Sequence, residues 1–180
     1  MEMNTGIKGL LQRFWSDEDA TATIEFVILA PVVMWIVFSV IEAGWLSTQQ
    51  SMLNRGLNLA VRDLRLGRRP NPSANDIKQD ICNYARVLRD CMNTLTLELV
   101  SINDPIGNAS AVCVDRSSPI EPTIAFDQGS HINQDIMIAR ACFVVDPLIP
   151  GAGLGAALPK DVTGAFHMVS FSAFANEPGA

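Results

Sequence analysis

The sequence predicts an α+β protein: a long N-terminal helix that passes from a membrane into water, then a small domain with one short helix and an antiparallel sheet of about four strands. Three observations lead there. The run from Thr23 to Leu46, TIEFVILAPVVMWIVFSVIEAGWL, carries no charge from Phe26 to Ile41, and about 20 mostly apolar residues suffice to cross a bilayer. Apolar residues then continue at helical spacing as far as Leu64. From Thr94 onward, short alternating segments separated by turn signals replace the helical period.

The helix comes first. Leu46, Leu53, Leu57, Ala60, Val61 and Leu64 recur at spacings of three, four and seven and form one apolar stripe. Gln49, Gln50, Asn54, Arg55, Asn58, Arg62 and Arg65 fall largely elsewhere on the wheel. Gly67 followed by Arg68-Arg69-Pro70-Asn71-Pro72 forbids continuation. The prediction is one helix from Thr21 to Leu66, with residues 21–46 in lipid, an amphipathic continuation over 47–69 in water, and a domain over 70–180.

Within that domain a second helix starts at Ser73, with Asp76 in its first turn and Ile77, Ile81, Tyr84, Ala85 and Leu88 on its apolar face. Strands are predicted over Thr94–Ile102, Ala111–Asp115, Asp135–Val145 and Ala165–Ala175. Asn103-Asp104-Pro105 and the Ser117–Pro122 stretch read as turn or loop, and the Gly/Pro/Ala-rich stretch Pro147–Pro159 reads as a loop.

Cys82, Cys91, Cys113 and Cys142 all follow the apolar run. An even count in an exported domain points to two disulfides. Three connectivities are open, and the preferred one joins Cys82 to Cys91 and Cys113 to Cys142. In one unbroken helix Cys82 and Cys91 would lie roughly 13 Å apart at 1.5 Å per residue, whereas a bridge needs Cα atoms within about 7 Å. That pair therefore requires the helix to end between them, near Leu88. The alternative is four reduced cysteines in a cytoplasmic core. Orientation is not set cleanly by charge, because Arg55, Arg62, Arg65, Arg68 and Arg69 after the run outnumber Lys8 and Arg13 before it. The oxidising compartment that paired cysteines need favours an N-terminus inside. A cleaved secretory signal fits poorly: the run exceeds a usual apolar core, Asp17, Glu18 and Asp19 separate it from the basic residues, and no small-x-small site follows.

Several functions are disfavoured. A net charge of −6 without a basic patch argues against a nucleic-acid partner. Gly151-Ala152-Gly153-Leu154-Gly155-Ala156 resembles a dinucleotide loop but lies among prolines, with no strand–loop–helix context. His131 and His167 with four dispersed cysteines do not make a zinc pattern. No serine carries a Ser/His/Asp signature. No enzyme, cofactor or metal site is expected. The candidate functional residues lie in the apolar run itself. A carboxylate there, Glu25, is expensive and functional by default, although a helix N-terminus alone also favours an anion. Pro31 is tolerated in membrane helices. Glu42 marks the membrane edge or pairs across subunits, with the edge preferred, and Trp35 and Trp45 read as packing and interface anchors.

The segment Ala20-Thr21-Ala22-Thr23-Ile24-Glu25-Phe26 resembles the processing segment of TadE-like minor pseudopilins, from the tight-adherence (Tad) machinery within the type IV pili. Ala20 matches the residue before the cut, Thr21 the new N-terminus, Glu25 the fifth mature position and Phe26 the sixth. Ile41-Glu42-Ala43-Gly44-Trp45 resembles the family's Glu-x-Gly-aromatic segment, and Phe174-Ala175-Asn176-Glu177-Pro178 its closing Asn-Glu-Pro. One departure is Ala20, where major pilins carry Gly. The resemblance implies that a prepilin peptidase removes a cytoplasmic leader, residues 1–20, and that Glu25, Phe26 and Pro31 serve helix packing in assembly. It implies as partners the peptidase, other pilin and pseudopilin subunits met through the N-terminal helix, an inner-membrane assembly platform and membrane lipid. It places the protein in the bacterial inner membrane as a single-pass chain with a periplasmic domain, in or at the tip of an adhesive Flp pilus that supports adhesion and biofilm. The alternative is a single-pass, membrane-anchored periplasmic binding or sensor protein, which keeps its first twenty residues and tolerates Glu25→Ala. A secreted enzyme is a third reading without a catalytic constellation behind it.

Overall fold

The structure, a computed structural model, describes residues 18–66, 68, 71–102, 113–117, 136–151 and 153–175. The leader as far as residue 17, the turn Asn103-Asp104-Pro105 and the closing Asn176-Glu177-Pro178 lie outside the described residues. Helix α1 runs unbroken from Glu18 to Arg65 through Pro31. Then follow α2 (Ala74–Tyr84), α3 (Cys91–Thr94), β1 (Leu95–Ser101), β2 (Ile136–Val145), α4 (Leu154–Ala157) and β3 (Phe166–Ala175). The strands form one antiparallel sheet in the order β1-β2-β3. The class is α+β, as the sequence predicts.

Two details differ from expectation. Three strands pair among the described residues, and Cys113, Val114 and Asp115 are not strand. Cys113 is bridged to Cys142 of the middle strand. Its segment is thereby tethered over a face of the sheet instead of pairing along an edge. The second helix also stops early. Its start is set by Ser73, whose hydroxyl accepts from the Asp76 amide while Asp76 reaches back to the Ser73 amide, a reciprocal cap. Its end falls at Tyr84, short of Leu88. Asp90, held at φ 51°, then reverses the chain and brings Cys91 back to Cys82, with Cα atoms 5.7 Å apart. The bridge is compatible with helix because the chain turns between its ends.

The core lies between α1, α2 and one face of the sheet. The stripe Leu46, Leu53, Leu57, Ala60 and Val61 is buried and meets Ile77, Ile81 and Ala85 from α2, and Leu95, Leu97, Leu99, Ala141 and Phe143 from the sheet. Full burial of each large aliphatic side chain is worth about 1.5–3 kcal/mol. Three such residues therefore hold the water-side half of α1 to the domain far more firmly than any single hydrogen bond. α1 approaches α2 closely at Gly56, where a Cβ would stand 2.9 Å from the Ile81 carbonyl oxygen and 3.1 Å from the Ala85 Cβ.

Polar residues of α1 protect the sheet edge. Gln50, Asn54 and Asn58, four apart along one side of the helix, run beside β3. The Gln50 side-chain amide donates to the Val169 carbonyl (3.0 Å) and to Asn54 (3.1 Å), and the Ser172 hydroxyl donates to Asn58 (3.0 Å). An uncovered edge would offer a template to another chain. On the opposite face of the sheet, Glu98 and Arg140 are cross-strand neighbours, 4% and 6% exposed, at 3.5 Å. That distance makes an ion pair, not a hydrogen bond, and removing either partner would strand a buried charge. At the far end of α1, Asp63 accepts from the Tyr84 hydroxyl (2.7 Å), and this hydrogen bond with the nearby charge raises the Tyr84 phenol above its ordinary 10.0.

Asp161 organises the turn into β3, accepting from the Thr163 hydroxyl (2.7 Å), the Thr163 amide (2.8 Å) and the Ala165 amide (2.9 Å), with His167 at 3.2 Å. The Thr163 hydroxyl is the chief reason its carboxyl is held at about 2. Because the folded value lies below the ordinary 3.8, the turn gains stability from the carboxylate that is fully present above that value and is lost as the pH falls toward about 2. Carbon-detected NMR should give an Asp161 midpoint near the lower value, and Thr163→Ala should move it upward. The Gly56 contact gives a second prediction. Gly56→Val should destabilise the domain by about 1–3 kcal/mol, as overpacking does, and lower the thermal midpoint. Gly44→Ala, with nothing within 4 Å of the added atom, should leave it unchanged or raise it slightly.

Candidate functional site

The first half of α1 is apolar on every side and touches little of the protein. Ile24, Phe26, Val27, Ile28, Leu29 and the large apolar residues from Val32 to Ile41 are all exposed, Phe26 to 70% and Val40 to 65%. A helix that is hydrophobic all round belongs in an apolar medium or among other helices, and a surface of this extent is far beyond the patches soluble monomers tolerate. This is the helix long and apolar enough to cross a membrane. From Ala22 to Ile41 it rises about 30 Å, the thickness of a bilayer's hydrocarbon core. Glu25 is exposed one turn from the start of this stretch, beside exposed Phe26, and Pro31 is exposed near its middle. Ala20 and Thr21 lie in the first turns of α1 by backbone, and their side chains lie outside the described residues. Glu25, Phe26 and Pro31 therefore share the free half of the helix, whereas the two disulfides lie in the domain.

The free half ends at a carboxylate. Glu42 is 1% exposed. Its Oε2 accepts from the Gly155 amide at 2.6 Å and its Oε1 from the Ile149 amide at 3.3 Å. Both donors belong to the Gly/Pro/Ala-rich stretch, which contains the single turn α4. A buried carboxylate is tolerable only with such donors, and hydrogen bonds to a charged acceptor are the strong ones. The glycines permit the approach. A Cβ on Gly155 would fall 2.5 Å from the Ile149 carbonyl oxygen and 2.6 Å from Glu42 Oε1. Gly153, at φ 65°, presses against Ser39, where a Cβ would meet the hydroxyl at 2.9 Å. The Gly-rich run thus forms a half-collar against one side of α1 at Ser39 and Glu42, with the Ile149 and Gly155 N–H groups turned to a carboxylate of its own chain and not to a phosphate. Glu42 therefore makes an intramolecular bond, where the sequence suggests a membrane edge or a partner subunit. A signal existed in its sevenfold spacing from Gln49 and Gly56, both on the buried side of α1.

Glu42→Ala should remove about 1.5–3 kcal/mol, the usual worth of a hydrogen bond to a charged group, and speed amide hydrogen exchange at Gly155 and Ile149 selectively. Glu42→Gln, which keeps an acceptor, should lose less.

Among described residues no group of histidine, cysteine and acidic side chains is placed to hold a metal. In comparisons with known proteins, no curated protein and no solved structure matches. The family model described as TadE-like protein matches residues 20–62. Those residues include the small residue before Thr21, Glu25, the exposed apolar half, the collar contact at Glu42 and most of the domain-bound stripe. Over that stretch α1 is similar to the helix of TadE-like proteins.

Proposed function

We propose that this chain is a minor pseudopilin, cut between Ala20 and Thr21 by a prepilin peptidase, which takes part in building Tad/Flp adhesive pili. The TadE-like match supports involvement in the Tad pilus system. The observation that carries the finer reading is the free half of α1: an all-round apolar helix with one carboxylate near its start, continuous with a disulfide-held domain. Such a chain offers a bilayer, and then neighbouring helices, the same surface. Its role is structural. The free residues would pack and would be another enzyme's substrate.

Cleavage before Thr21 would create an amine one turn from Glu25. In a bundle of such helices, the amine of one subunit would neutralise Glu25 of the next and fix their axial register. An unpaired charge in that setting costs roughly 3–5 kcal/mol, so a register that pairs the two is strongly preferred to one that does not. The span offered to lipid would be residues 22–41, since Glu42 and Leu46 are taken up by the domain. Two disulfides favour an oxidising compartment for that domain, hence a single-pass inner-membrane protein with its N-terminus in the cytoplasm.

Intact mass and N-terminal sequencing of protein from native membranes should give a mature chain beginning at Thr21 with the apolar helix retained. A full-length chain would instead favour a membrane-anchored binding protein. Glu25→Ala should still insert but fail to co-assemble with other pilins, and normal piliation by that variant would sink the assembly role.

A further inference from the structure

The half-collar is built without a side chain that can hydrogen-bond. From Pro147 to Pro159 the chain reads PLIPGAGLGAALP, bracketed by the charges of Asp146 and Lys160. Only part of this stretch is used inside the molecule. Gly153 and Gly155 are buried against α1. Leu148 is 53% exposed, and Pro150, Gly151, Ala156, Ala157 and Pro159 are exposed with it.

The depth of this surface is set by α1. Gly153 meets Ser39 and Gly155 meets Glu42. Ser39 lies about 3 Å inside the end of the 22–41 span and Glu42 about 1.5 Å outside it, at 1.5 Å per residue. With residues 22–41 in a bilayer, the half-collar therefore stands where hydrocarbon gives way to headgroups. Trp45, partly exposed one turn beyond Ile41, stands where interfacial aromatic residues stand.

The backbone suits that level. A loop facing lipid must find partners for its N–H groups within the protein. Pro147, Pro150 and Pro159 have no N–H to satisfy. The N–H groups of Ile149 and Gly155 are given to Glu42, and that of Leu158 to the Leu154 carbonyl at 3.1 Å. Lys160 turns its ammonium back onto the Pro150 carbonyl at 2.9 Å, which covers an acceptor and leaves the charge at the rim.

We propose that the half-collar is a second membrane-contacting element, whose exposed residues, Leu148 foremost, rest in the interfacial layer of the leaflet that α1 leaves and screen Glu42 from lipid. Lipid is the occupant because the surface adjoins a half-helix of the same apolar character at the same depth. A run of Gly, Ala and Pro without polar side chains also gives another protein nothing by which to fix its orientation, and lipid needs none. The inference rests on the membrane reading of residues 22–41 and is independent of leader cleavage and of pilus assembly.

The test places the full chain, one per nanodisc, in lipid bearing a shallow acyl-chain nitroxide, with a bimane on one added cysteine. The native cysteines stay in their disulfides. Ile41→Cys, Leu148→Cys and Phe171→Cys are compared. All three positions are exposed, so the label is tolerated, and an unchanged thermal midpoint checks this. Phe171 lies between Val169 and Ser172, which meet Gln50 and Asn58, about 14–26 Å along α1 from Ile41. The Leu148 label should be quenched to within about twofold of the Ile41 label, as an element seated about 5–10 Å into the interface would be. The Phe171 label should not be quenched. In the unsubstituted chain, saturating the lipid acyl protons should attenuate the Gly151 and Ala156 amide signals more than that of Ala173. A Leu148 label quenched no more than the Phe171 label, in discs where the Ile41 label is quenched, overturns this inference and leaves the membrane reading standing. A Leu148 label hidden from aqueous iodide yet unquenched by lipid means that another chain covers the half-collar, and overturns it equally. An unquenched Ile41 label overturns the membrane reading itself.

Discussion

One helix carries two kinds of surface, apolar on all sides and apolar on one side, and the rest of the structure depends on where it changes from one to the other. α1 has no break between Glu18 and Arg65, so the change must be made by side chains alone. It is made at Glu42, where a carboxylate is taken out of water and given two backbone donors from a glycine-rich collar. Below that point every large apolar side chain is exposed. Above it, Leu46, Leu53 and Leu57 are buried against the domain. The collar therefore fixes how deep the domain rides on the helix, and through it the length of helix left for lipid or for other subunits.

The domain-bound half follows a sevenfold pattern that mixes apolar and polar residues. Leu46, Leu53 and Ala60 supply core. Glu42, Gln49, Gly56 and Asp63, equally seven apart, face the same way, and no two of them do the same thing. Glu42 binds the collar, Gln49 floors a cleft, Gly56 admits α2, and Asp63 receives the Tyr84 hydroxyl. Leucines at Glu42, Gln49 and Asp63 would remove these polar contacts, and one at Gly56 would clash with the Ile81 carbonyl oxygen. Rigid attachment matters for the proposed assembly role, because a register imposed on the free half would be transmitted to the domain only if the two cannot slip.

The apolar stripe was legible in the sequence because burial on one side of a helix repeats with its turn, and Leu46, Leu53, Leu57, Ala60 and Val61 keep that repeat. The start of α2 was legible from Ser73 and Asp76, whose capping is local. For the polar members of the same stripe, the sevenfold spacing marked a side of the helix but not what each residue would meet. Glu42 and Gln49 resemble solvated positions until the chain more than a hundred residues later returns to meet Glu42, and no local rule signals a partner that distant. The stretch Pro147–Pro159 was legible as a loop, but what it approaches is decided by tertiary packing. Val114 misled in the other direction, since an alternating pattern around Cys113 reads as strand whether or not a free edge exists to receive it.

The central claim is that α1 leaves the apolar phase at Glu42 and not at Leu46 or beyond. A nitroxide carried singly from Met34 to Leu57 in nanodiscs, with oxygen and a water-soluble nickel chelate as relaxers, tests it directly. The account predicts oxygen-dominated relaxation on every face through Ile41. A sharp change should follow at Glu42, and beyond it nickel access should rise and fall with the helical period, lowest at Leu46, Leu53 and Leu57. Oxygen-dominated relaxation on all faces from Ile41 through Leu53 would contradict it, because the domain could not then be collared to the helix where the structure places it.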